Sequence, residues 1–187
     1  MTLPFSSLPV REAVWLFPVA VAIHFSEEAP RFAKWAREHI SPLYTDAHWR
    51  KIHGMGLALA IAWSLFLSLW PHPMAVFACW AFCFSPMLFN SVFHVASSVV
   101  YRSYSPGTLS ALLQFPPLFW YLASVFGKTG LLSWEMAILA TIIGAAVHAL
   151  DLASLTYFVQ PQSFFAIRNK PGASQHFAGE VNTQEKI

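Results

Sequence analysis

The chain has 187 residues, 56% hydrophobic and only 11% Asp, Glu, Lys or Arg, with a formal net charge of +2. Soluble domains carry about 25% charged residues, so this composition excludes a water-soluble globule and a disordered chain. A small net charge without a basic cluster also argues against nucleic acid as a partner.

The charges are unevenly placed: none falls from Ile52 to Tyr101 or from Ser103 to Gly127. At about 1.5 Å per residue and roughly 30 Å of hydrocarbon, the first run crosses a bilayer twice and the second once. The expected fold is an all-α polytopic membrane bundle of about five transmembrane helices, with the lipid bilayer as its immediate partner.

In chain order, the first span is predicted from about Arg11 to Glu28, stopping at Pro30. It is expected to stay in the mature chain, because Met1 to Val10 has no basic residue and no small-residue cleavage site follows. Residues 31–51 mix Arg31, Lys34, Arg37 and Lys51 with Phe32, Trp35 and Leu43, the pattern of a segment lying along the interface. A second span from about His53 to Trp70 turns at Pro71-His72-Pro73 and returns as a third from about Met74 to Tyr101. Cys79 and Cys83 fall inside it and read as small apolar packing residues. The fourth, about Gly107 to Phe126, contains Pro116-Pro117 and is expected to kink. The fifth runs from about Leu132 to Phe158. Residues 1–160 thus form one membrane domain and 161–187 a polar cytoplasmic tail. With five spans, Arg11 and Lys128 lie on one side and all other Lys and Arg on the opposite side. Cytoplasmic loops carry the excess, which places the N-terminus outside and the C-terminus in the cytoplasm.

Ionisable residues inside a bilayer cost on the order of 2.5–3.5 kcal/mol each by insertion scales, so they usually face a cavity and serve a function. Three groups stand out: His24, Glu27 and Glu28 on the first span, Asn90 and His94 on the third, His148 and Asp151 on the fifth. Each group has i,i+3 or i,i+4 spacing and so shares one helix face. Counted from the outer ends of their spans, all three lie roughly 20–30 Å deep. Coincident depth is what three helices need to build one site.

His24-Phe25-Ser26-Glu27-Glu28 reads as HXXEE and Tyr104-Ser105-Pro106-Gly107 as YXPG. The chain therefore resembles the HXXEE-domain family of integral membrane proteins, which that motif, a further histidine and the YXPG turn define. The resemblance implies a membrane-spanning chain and supplies no reaction. His94 or His148 answers to the further histidine.

Three imidazoles with nearby carboxylates suit a first-row metal, zinc or iron, with a position left open for water. The expected ligands are His24, Glu28, His94 and His148, with Glu27 and Asp151 handling protons and Asn90 anchoring substrate or water. The function expected is an integral membrane enzyme of hydrolase or oxygenase type acting on a lipophilic substrate. Two other readings stay open. Glu27 or Glu28 would protonate an alkene or epoxide without a metal, as an isomerase or cyclase of a lipid-like or terpenoid substrate. Alternatively, the His and acidic groups would relay a proton or metal ion. His53 is grouped with the loop histidines but starts the second span where it can reach the site.

Overall fold

The charge-free runs fold as helices. The computed structural model describes residues 8–157, so the polar tail expected over 161–187 lies outside the described residues. Among the described residues there is no strand. The elements are α1 Val10–Ala13, α2 Leu16–Glu28, α3 Phe32–His39, α4 Asp46–Leu69, α5 Pro73–Cys79, a π-helical turn Trp80–Phe84, α6 Ser85–Val100, α7 Thr108–Lys128 and α8 Trp134–Tyr157.

Four helical runs are long and apolar enough to cross a membrane: Asp46–Leu69, the unbroken Pro73–Val100, Thr108–Lys128 and Trp134–Ala153. Their outward surfaces are apolar, with Leu69, Val99, Val100 and Leu150 each more than 70% exposed. In water such surfaces would drive association; in hydrocarbon they are ordinary. The chain is an integral membrane protein.

The first expected span differs from a single helix. Its chain breaks at Val14-Trp15, between α1 and α2, and α2 has only 13 residues, about 20 Å. Pro18 explains the break: it has no N–H to give the carbonyl four residues back, that of Val14. Ser64 Oγ on α4 donates to that carbonyl instead, at 3.0 Å. This bond also fixes direction, because Ser64 lies late in α4 and ties the start of α2 to the far end of the bundle. From there α2 descends between α4 and α7 to end at Glu28.

Three further prolines act differently. Pro86 withholds a donor from the Phe82 carbonyl, and the chain widens just before it into the π turn, where Ser85 N–H reaches the Trp80 carbonyl. The α7 helix runs unbroken through Pro116 and Pro117.

The core behind the site is apolar and aromatic. Trp80 is fully buried against Phe119, Phe84 and Phe126, and its indole N–H donates to Thr141 Oγ1 on α8 at 3.0 Å. Cys79 and Cys83 are buried and unbridged, as expected of packing residues. The α8 helix meets the π turn at Gly144, where an added Cβ would lie 2.2 Å from Ser85 Cβ and 2.9 Å from the Ala81 carbonyl oxygen. Gly144→Ala is therefore expected to lower stability by about 1–3 kcal/mol through overpacking, read as a fall in the thermal unfolding temperature of the purified protein.

The short α3 caps the other end. Phe32, Ala33, Trp35 and Ala36 turn inward onto Tyr44, Trp49 and Phe93, while Lys34 and Glu38 face out. This is the interfacial segment expected between the first two spans, and it covers the polar cluster.

Candidate metal centre

The helical spacing of HXXEE puts His24 and Glu28 on one face of α2, and that face is buried. Glu28 Oε1 lies 3.4 Å from His24 Nε2 and 3.0 Å from His94 Nε2, His94 coming from α6. The other carboxylate oxygen, Oε2, lies 2.5 Å from Nε2 of His53 on α4. Three imidazoles from three helices thus aim the same ring nitrogen at one buried carboxylate.

Each ring is held from behind. His53 Nδ1–H donates to the Trp49 carbonyl one turn earlier, at 2.8 Å. Ser110 Oγ donates to the Gly107 carbonyl and so accepts from His24 Nδ1–H, at 3.0 Å. His94 Nδ1 shares a hydrogen bond of 2.9 Å with Ser105 Oγ. Oxygen partners at Nδ1 leave Nε2 for ligation, as outer-shell partners do in metal sites. In neutral His24 and His53, Nε2 is then a lone pair facing a carboxylate. Two electron-rich atoms at 2.5 Å need a cation between or upon them, either a proton or a metal ion.

His24, Glu28 and His94 each offer a ligand atom within 4.8 Å of the others. A tetrahedral site with metal–ligand bonds near 2.0–2.1 Å has ligand–ligand edges of about 3.3 Å. The 3.0 and 3.4 Å separations bracket that edge. Asn90 Nδ2 lies 3.0 Å from His24 Nε2; its N–H takes that nitrogen's single lone pair here and has to turn aside for His24 to ligate an ion.

The YXPG turn builds the remaining wall. Gly107 adopts φ +100°, a left-handed conformation that favours glycine. A Cβ there would sit 2.8 Å from both Glu28 Cγ and His24 Cε1 and 2.9 Å from His94 Cε1. Tyr104 Oη–H donates to Glu27 Oε1, and Glu27 Oε2 accepts from the Ser110 backbone N–H at 2.8 Å. Gly107, the N-cap of α7, has no side chain, so Glu27 caps α7 from another helix and complements its dipole. Partial burial and the Glu27 contact push the Tyr104 phenol above its ordinary pKa. The two adjacent glutamates therefore divide: Glu28 faces the imidazoles and Glu27 clamps the turn behind them.

A cavity of about 350 Å³ lies against the cluster, between α2, α3, α4, α6 and α8. Glu28, His53 and Asn90 line it together with His148 and Asp151 from α8, and Phe25, Phe32, Phe82, Met87 and Phe93 supply the apolar surround. At its rim, burial pushes the Tyr44 phenol up, and the Glu28 and Asp151 carboxylates add to the shift. A larger hollow of about 580 Å³ at the far end of the bundle shares no residue with the cluster.

Of the residues singled out in the sequence, the structure brings His24, Glu28, His94 and Asn90 together. His148, expected as a fourth ligand, is half-buried on α8 across the cavity, with its ring 6.5 Å from that of Phe93. Its Nε2 is buried without a hydrogen-bond partner among the described residues. Asp151 is exposed one turn further on. The position beside Glu28 belongs instead to His53. Its signal was available: His53 stands at the head of a charge-free run, where a polar ring must turn inward or reach the interface.

A family model described as "Protein of unknown function with HXXEE motif" matches residues 15–122. The chain belongs to that family. The matched HXXEE residues contain His24, Glu27, Glu28, His53, Asn90, His94 and the turn Tyr104 to Gly107, whereas His148 and Asp151 lie beyond them. No curated protein and no solved structure matches the chain.

Proposed function

We propose that the chain is a membrane-embedded metalloenzyme of hydrolase or oxygenase type that acts on a lipophilic substrate. The observation that carries this reading is the convergence of buried Nε2 atoms on Glu28, each ring backed at Nδ1, beside an apolar cavity. His24, His94 and Glu28 would hold zinc or iron, and Glu28 also lines the cavity. Such an ion polarises a substrate oxygen or activates water, or as iron dioxygen. His53 sits against the outer oxygen of Glu28, Asn90 yields the His24 lone pair to the ion and is left to anchor substrate or water, and Glu27 positions the turn. His148 and Asp151 line the same cavity from α8 and handle protons.

Orientation follows from charge. Arg31, Lys34, Arg37, Arg50, Lys51 and Arg102 lie on the segments at the site end, and Arg11 and Lys128 at the far end. The positive-inside bias puts the site in the cytoplasmic leaflet and the N-terminus outside.

The close His53–Glu28 pair favours one second reading, a metal-free acid–base isomerase or cyclase in which that pair carries the proton. Thermal unfolding of detergent-purified protein separates the two. Chelation is expected to lower the transition and zinc or ferrous iron to restore it, since a ligand at 100 times its Kd adds about 2.7 kcal/mol. His94→Ala is expected to abolish the response. A transition indifferent to chelator and metal in the unsubstituted protein contradicts the metal reading and leaves the acid–base one.

A further inference from the structure

The cavity adjoins a second hollow. Besides the inner chamber, a groove of about 800 Å³ runs along the outer face of α4 to α8, lined by His48, Lys51, Met55, Leu59, Ala62 and Asp151 among others. Ile52, Gly56, Leu59 and Asp151 line both spaces, so groove and chamber meet at these residues. Both flanking helices are membrane-crossing and face hydrocarbon here: Met55 is 64% exposed and Leu59 48%.

The groove is polar at one end and apolar along the rest. His48, Lys51 and Asp151 stand at the interfacial end, one turn from His53, and Met55, Leu59 and Ala62 continue toward the bilayer centre. That sequence of surfaces complements an amphiphile lying in the leaflet, head at the interface and chain parallel to α4. Resting on the functional reading above, we propose that the substrate is a single-chain lipid of fatty-acyl type. It enters laterally from the cytoplasmic leaflet between α4 and α8, with Gly56 as the threshold. Gly56 suits that place because it leaves the passage open. A Cβ there would meet only Phe25, at 3.5 and 3.7 Å, which is ordinary contact, so the backbone accepts a side chain at this position and a longer one narrows the doorway.

The test uses the full chain in phosphatidylcholine vesicles containing palmitic acid with a diazirine on its chain, photolysed and mapped by mass spectrometry. Labels are expected at Met55 in the groove and at Met87 and Phe93, both partly buried, in the chamber. Gly56→Leu is expected to cut the chamber labels at least tenfold while sparing Met55, and Leu59→Trp, at an exposed position, to do the same. Gly54→Leu serves as the control, since a Cβ at Gly54 meets nothing within 4 Å; its pattern is expected to match the unsubstituted protein. Chamber residues that stay unlabelled, or labels that both blocking variants leave unchanged, overturn the proposal. Repeating the labelling on chelated protein separates the two claims. Labelling that persists where no metal binds keeps the route and removes the metal, and a metal-loaded protein without chamber labels removes the route alone.

Discussion

Gly107→Ala is expected to destabilise the protein by about 2–5 kcal/mol, combining roughly 1–2 for a left-handed non-glycine residue with 1–3 for overpacking. The overpacking has a specific target. The new methyl would press on Glu28, His24 and His94 together, at 2.8 to 2.9 Å. None of the three can retreat cheaply, because all are buried and both rings are held at Nδ1. Metal affinity should therefore fall with stability. Gly130→Ala provides the comparison: Gly130 has φ +70° but an added Cβ there meets nothing within 4 Å. It should lose only the backbone contribution, roughly 1–2 kcal/mol, and keep its metal. Chemical denaturation of the two variants with metal analysis of each decides the matter. Equal losses in both would mean that Gly107 serves the turn and not the site.

The second large effect separates two neighbouring glutamates. Glu28→Gln keeps shape and removes the charge on which three imidazoles converge. Metal retention is expected to drop to background, and the thermal transition to stop responding to chelator. Glu27→Ala removes the cap of α7 and the acceptor of the Tyr104 hydroxyl, with an expected loss of about 0.5–2 kcal/mol, while metal stays bound. The same pair of measurements applied to both variants reads the division directly. Similar metal loss in both would contradict it.

Much of the fold was legible because bilayer physics writes coarsely. Charge-free runs from Ile52 to Tyr101 and Ser103 to Gly127 became α4, the run Pro73–Val100 and α7. The broken first segment was less legible. Pro18 announces a missing donor, but the replacement by Ser64, 50 residues away, exists only in the packed bundle. The site divides along the same line. Helical spacing put His24 with Glu28 and Asn90 with His94, since local geometry decides which residues share a face. It put Glu27 there equally well, and only the arrival of Tyr104 and Ser110 distinguishes the two carboxylates. The YXPG turn was readable as a turn from Pro106 and Gly107. That Gly107 also backs onto His24 and Glu28 depends on contacts some 80 residues apart, which no local pattern records. His148 and His53 exchanged places for a similar reason, because equal depth along a span does not specify which helix faces which.

The central claim is that Glu28 and its histidines hold a metal ion. Elemental analysis of the full chain, purified in detergent without chelators, tests it most directly. A site with three protein ligands holds a single ion, so about one equivalent of zinc or iron per chain is expected in the unsubstituted protein. Glu28→Gln and His24→Ala should fall to background while remaining folded. Background metal in the unsubstituted protein, or equal metal in all three, would contradict the account.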